Sequence, residues 1–126
     1  MQSASPTIRI TVGDIELLAE LDETPTARRL RQALPIEASG AYWGKELYFE
    51  IPVQEAPDET ARQVVEPGTI ACWPPGRALC LFWGPTPASE ADECRAASPV
   101  NVVGRIVNPE ELEHISASQV RLEEAC

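Results

Sequence analysis

Glu46 and Tyr48 lie two residues apart in Trp43-Gly44-Lys45-Glu46-Leu47-Tyr48-Phe49-Glu50-Ile51, and strand alternation sends both to the face opposite Leu47, Phe49 and Ile51. A carboxylate beside aromatic rings can hold a cation or a hydrogen-bond donor, and Trp43, Trp73 and Trp83 are large rings in a chain with only 6% aromatic residues. Two readings stay open for these residues. They form the polar and aromatic floor of a groove, or Glu46 is a solvated or internally paired carboxylate, with Arg105 as one partner, and the tryptophans are packing. Trp83-Gly84-Pro85-Thr86-Pro87 is likewise either a binding edge or a rigid rim shaped by turn geometry.

Other chemistries find little material. His114 is the only histidine and stands in a Glu-rich segment with no nucleophile signature, which argues against a hydrolytic triad. Cys72, Cys80, Cys94 and Cys126 include no C-x-x-C pair, so neither a metal site nor a cofactor is expected. Cys72 and Cys80 read as small buried hydrophobes, while Cys94, in a polar stretch beside Arg95, is the one candidate for a reactive thiol.

The elements that must position these residues are short strands. In 126 residues there are 12 prolines, about twice the usual share, and they mark element ends. Ile8, Ile10 and Val12 alternate up to Gly13-Asp14, and Ile15, Leu17, Ala19 and Leu21 alternate after it, which predicts a hairpin. Thr24-Pro25 opens the one well-signalled helix, with Ala27, Leu30 and Leu34 at helical spacing, and Leu34-Pro35 closes it. A second hairpin is predicted from Thr69–Trp73 and Ala78–Trp83 about Pro74-Pro75-Gly76-Arg77. The stretch from Gly84 to Pro99 reads as a long loop and Val100–Val107 as a strand. Asn108 reads as the cap of a single helical turn, and Val120–Leu122 as a last short strand.

Composition bounds the rest. Twenty acidic and ten basic residues give a net charge of −10, so nucleic acid and anionic membrane are poor partners, and the chain is expected as one domain over residues 1–126. Arg28, Arg29 and Arg31 suit the end of the short helix better than a binding patch. Met1 to Thr7 lacks a basic and apolar leader pattern, and no run approaches the about 18 apolar residues of a spanning helix, which makes the cytoplasm the expected address. A monomer or weak homo-oligomer is expected. The strand pattern predicts a mainly β fold, an antiparallel sandwich or a closed barrel, with closure favoured because it removes exposed edges.

The order of motifs then resembles the prokaryotic cyclophilin-like domain family. The residues that carry the resemblance are Leu21-x-x-Thr24-Pro25-Thr26-Ala27, Trp43-Gly44-x-Glu46-x-Tyr48-Phe49-x-Ile51-Pro52, Trp73-Pro74-Pro75-Gly76, Trp83-Gly84-Pro85-Thr86-Pro87 and Val100-Asn101-Val102-Val103-Gly104-Arg105-Ile106, over about residues 8–107. The resemblance implies a closed eight-stranded antiparallel barrel with one or two short helices at its ends, and no established activity. True cyclophilins are prolyl isomerases whose Phe-His-Arg segment supplies an arginine that hydrogen-bonds substrate near the proline nitrogen. The corresponding stretch here, Tyr42–Phe49, offers Glu46, and no arginine occurs between Arg31 and Arg62. A guanidinium brings several donors in a fixed fork and an ionised carboxylate brings none. The expectation is therefore a barrel that binds a small molecule or peptide segment in an aromatic groove without isomerase activity, with Trp43, Glu46, Tyr48, Trp73, Trp83, Thr86 and Asn101 as candidate ligand-binding residues and no catalytic residue assigned. Asn101 enters because it falls near a groove position of true cyclophilins. A divergent peptidyl-prolyl isomerase is the alternative.

Overall fold

The structure is a computed structural model, and it describes residues 7–125. Met1 to Pro6, most of the segment read above for a leader, and Cys126 lie outside the described residues. Gly13, at φ +61°, turns the chain between β1 (Thr7–Val12) and β2 (Ile15–Leu21), which pair from Val12↔Ile15 to Thr7↔Glu20. Helix α1 (Pro25–Gln32) starts as its sequence predicts: Pro25 occupies the first turn, and the Thr24 hydroxyl accepts from the Ala27 amide at 3.2 Å. Pro67-Gly68 forms the turn that its sequence predicts, with Gly68 at φ +92° and Thr69 N–H donating to Glu66 O.

In chain order the remaining strands are β3 (Ile36–Tyr42), β4 (Glu46–Glu50), β5 (Arg62–Val65), β6 (Thr69–Trp73), β7 (Ala78–Phe82), β8 (Cys94–Ile106) and β9 (Gln119–Glu124). Eight of them form an antiparallel ring in the order β2-β1-β9-β3-β4-β7-β6-β8, and the β2–β8 pairing closes it. Strand β5 stands outside the ring and pairs with the first part of β8. Ring closure thus leaves few open edges, the liability that a sheet of short strands must manage.

Alternation along each strand creates two apolar layers. Ile8, Ile10, Leu17, Leu47, Phe49, Ile70, Leu79, Leu81 and Leu122 fill the inside of the ring, each contributing about 2 kcal/mol through burial. A second cluster lies on the outer face of β6, β7 and β8, where Ala71, Cys80, Phe82 and Val100 are covered by Val65, Cys94 and Ala96. The cover comes from β5 and the first residues of β8.

Four expectations change here. The stretch from Gly84 to Pro99 is not loop throughout, because β8 begins at Cys94. Its register against β5 jumps from Arg95 to Val100, and Pro99, which has no N–H to donate, falls in the skipped segment. Cys94 is therefore a buried residue under β5, and burial pushes its thiol pKa up, the opposite of an activated thiolate. Asn108 stands at the N-cap of the short 3₁₀ helix Pro109–His114, but its side chain makes no capping bond; its Oδ1 accepts from Leu18 N–H and its Nδ2 donates to Glu16 O, tying that helix to β2. Arg105 pairs with Glu20 at 2.8 Å and not with Glu46.

Among the described residues, no helix is long and apolar enough to cross a membrane.

Candidate functional site

Strand register builds the site on the outer face of the ring. Glu46 pairs with Phe82, Tyr48 with Cys80, and Cys80 with Ala71, so Glu46, Tyr48 and Cys80 share one face with Trp73, two residues beyond Ala71. These four side chains line a single pocket with Trp43, and Ala97 and Val100 of β8 close its far wall. The cavity measures about 170 Å³. An apolar cavity of about 150 Å³ can hold a benzene ring.

Each wall is fixed by a specific local contact. The turn that carries Trp43 depends on Gly44, whose φ is +63° and whose added Cβ would lie 2.7 Å from Pro85 O. Lys45 N–H donates to Pro85 O at 2.8 Å and Trp83 N–H donates to Lys45 O at 3.0 Å, so the Trp83–Pro87 segment clamps the turn from outside. Trp73 is held at both ends of its indole. Its Nε1 donates to Ser98 Oγ at 2.7 Å, and its ring lies so close over Gly76 that a Cβ there would meet Cζ3 at 2.7 Å.

Glu46 sits at the floor. It is only 5% exposed, its Oε1 has no hydrogen-bond partner, and Cys80 lines the same pocket beside it. Burial raises its pKa from 4.5 to about 7, and the Cys80 contact offsets only part of that rise. The effect is reciprocal: burial first, then the Glu46 charge, drives the Cys80 thiol pKa well above its ordinary value. Among the described residues, no arginine or lysine lines the pocket. Lys45 points to Glu113 at 3.1 Å, Arg77 to Glu50 at 3.0 Å and Arg95 to Glu93 at 2.5 Å.

Of the candidate residues, Trp43, Glu46, Tyr48 and Trp73 therefore meet in one pocket, and Trp83, Thr86 and Asn101 stand elsewhere. Trp83 packs against the ring interior and meets Tyr42 edge to face, with centroids 6.3 Å apart at 80°. Thr86 is buried in the clamp segment; its hydroxyl donates to Arg95 O at 2.5 Å and its N–H donates to Ser89 Oγ at 2.9 Å, joining the clamp to the start of β8. Asn101 is fully buried, accepts from Asp58 N–H at 3.0 Å and donates to Ala56 O at 2.9 Å, pinning the chain between β4 and β5. Removing that side chain leaves two backbone groups without partners. We expect Asn101→Ala to cost about 2 kcal/mol in urea unfolding with the pocket retained, and a cost under about 0.5 kcal/mol to contradict this role.

Cys80, Ala97 and Val100 were not among the sequence candidates. The alternation of Cys80 with Leu79 and Leu81 marks its face, but its neighbourhood depends on the β4–β7 pairing, and Ala97 and Val100 reach the pocket from a segment about fifty residues downstream of Glu46. No group of three His, Cys, Asp or Glu side chains among the described residues is arranged to hold a metal ion.

The chain folds as an eight-stranded antiparallel ring and belongs to the cyclophilin-like family, whose model matches residues 6–123. The match extends beyond the segment that carried the resemblance and takes in β9. A hypothetical protein from Archaeoglobus fulgidus with a known solution structure is similar over 98% of both chains, at 40% identity and a TM-score of 0.82. No curated protein matches the chain.

Proposed function

We propose that this protein is a binding module that receives a small molecule or a peptide side chain in the pocket above Glu46 and does not isomerise prolyl bonds. The observation that carries the reading is the buried carboxyl with an unpartnered oxygen, set among aromatic rings. A carboxyl at the floor of such a cavity is cut off from bulk water, and a ligand that brings a hydrogen-bond donor to it replaces the partners it has lost. Aromatic walls add apolar contact area around that single polar anchor, the usual balance of a small-molecule site. An isomerase of the cyclophilin type needs an arginine donor near the proline nitrogen, and the residues lining this pocket include no arginine but do include the carboxylate of Glu46.

Two measurements test the reading. In a protease-coupled assay with Ala-Pro and Phe-Pro peptides, micromolar protein is expected to leave the spontaneous cis-to-trans rate unchanged; saturable acceleration would establish the divergent isomerase instead. In a fragment screen followed by amide NMR, shifts are expected to concentrate at Trp43–Tyr48, Trp73, Cys80 and Ala97–Val100, and Trp43→Ala is expected to weaken binding at least about tenfold, the loss of one aromatic wall. Shifts clustered away from these residues would remove the pocket as the site.

A further inference from the structure

We infer that the ligand head group is an alkylated ammonium ion carrying an N–H, which donates to the Glu46 carboxylate while its alkyl groups rest against Trp43, Tyr48 and Trp73. The inference rests on the pocket reading above and narrows it to one ligand chemistry.

Three features of the site select that chemistry. Glu46 is the only acidic side chain lining the pocket and, once ionised, brings acceptors and no donor, so a cationic donor is the head group that answers it. The walls beside it are two indoles and a phenol, whose π systems attract a cation and whose apolar surfaces suit methyl groups better than a hydrated NH₃⁺. The cavity, about 170 Å³, admits a head group no larger than a small ring. Among the described residues no cationic side chain lines the pocket, and Lys45, Arg77 and Arg95 are each paired with another carboxylate. The net charge of −10 raises the local concentration of cations around the molecule.

The groups that face Glu46 are few. Strand β4 contributes Tyr48, β7 contributes Cys80, β6 contributes the uncharged Trp73, and β8 contributes only Ala97 and Val100. Among these, Glu46 is the group that titrates near neutrality. A cation binds its ionised form, so affinity rises with pH until the carboxyl is fully ionised. A neutral ligand that accepts a hydrogen bond from the protonated carboxyl shows the opposite slope.

Tryptophan fluorescence titrations with trimethylammonium chloride and with tert-butanol, a neutral donor of similar shape, test the inference on the intact protein. At pH 8 trimethylammonium is expected to bind at least about tenfold more tightly than tert-butanol, and to weaken by about tenfold or more at pH 5. In Glu46→Gln the two ligands are expected to bind alike, with no pH dependence. Wild-type protein alone already decides the sign, should the variant fold poorly. Equal binding of the two ligands at pH 8, or tighter trimethylammonium binding at pH 5, overturns the charge assignment and leaves the pocket standing. Failure of both ligands to perturb Trp43 or Trp73, in a protein whose fragment screen is also silent there, overturns the pocket itself. A peptide bearing an Nζ,Nζ-dimethyllysine, titrated in parallel, separates the two sources of this head group: binding of either supports the assignment, and the tighter binder names the source.

Discussion

Replacing Gly104 with alanine is expected to destabilise the protein by about 4 kcal/mol or more, among the largest effects of any single methyl group added to this chain. Gly104 lies where β8 passes between β2 and β6, pairing with Leu21 on one side and Ile70 on the other. A Cβ built on Gly104 would stand 2.2 Å from the Glu20 carbonyl oxygen and 3.0 Å from Leu21 Cα. Both obstacles are backbone, so no side-chain rotation relieves them. The only escape is to move β2 away from β8, and the β2–β8 pairing is what closes the ring. That movement also strains the bond from Asp22 N–H to Val103 O at 2.7 Å, just past the seam. Urea unfolding measures the loss, with a lower midpoint at an unchanged slope if the native state stays closed. A loss below about 1 kcal/mol would show that the seam tolerates opening.

Glu46→Gln is expected to act in the other direction above neutral pH. The native carboxyl has its pKa raised from 4.5 to about 7, chiefly by burial, so the native state holds the proton more tightly than the unfolded chain does. The group therefore stabilises the fold fully below pH 4.5, loses that contribution as pH rises from 4.5 to about 7, and changes little above. At 1.36 kcal/mol per unit, the total loss is about 3 kcal/mol. Glutamine keeps the shape and removes the titration. The stability difference between variant and wild type is accordingly expected to shift in the variant's favour by about 3 kcal/mol between pH 4.5 and pH 8, read by urea unfolding at both values. A difference that stays constant across that window would mean that Glu46 is not held in a dry site. Stability is thus lower where the carboxyl is ionised, the usual bargain of a binding group kept away from water.

The ring was largely legible in the chain because its signals are local. Period-two alternation on either side of Gly13-Asp14 defines the first hairpin, the turn residues Pro67-Gly68 and Pro74-Pro75-Gly76-Arg77 bound the apolar runs of the second, and Thr24-Pro25 marks the helix start through its own cap. What stayed hidden depends on distant partners. Strand β5 is four residues, Arg62-Gln63-Val64-Val65, too short and too polar to signal a strand until β8 lies beside it. Strand β3, with Gly40 in its midst, is Ile-Glu-Ala-Ser-Gly-Ala-Tyr, and its place is set by β4 and β9. The first half of β8 reads as loop because Pro99 interrupts it, whereas the chain accommodates the proline in a register jump.

The same division applies to the site. That Glu46 and Tyr48 share a face follows from alternation alone, but whether that face is covered depends on residues 94–100 folding back over β6 and β7. In the sequence Trp43 stands apart beside Gly44, while Trp73 and Trp83 read alike as packing residues. Strand parity separates them once register is known: Trp73 follows Ala71 onto the outer face, and Trp83 follows Leu81 toward the interior. Asn101 and Thr86 are polar and buried for structural reasons, since each satisfies backbone groups of a segment that would otherwise have none to answer them.

The most direct test of the account is the titration of the Glu46 side chain itself, followed by the ¹³C shift of its carboxyl carbon in ligand-free protein. A midpoint near pH 7 is expected for a carboxyl enclosed by Trp43, Tyr48, Trp73 and Cys80, and a midpoint near 4.5 would contradict the account, because a carboxyl that titrates like a solvated one cannot be the dry anchor of a binding pocket.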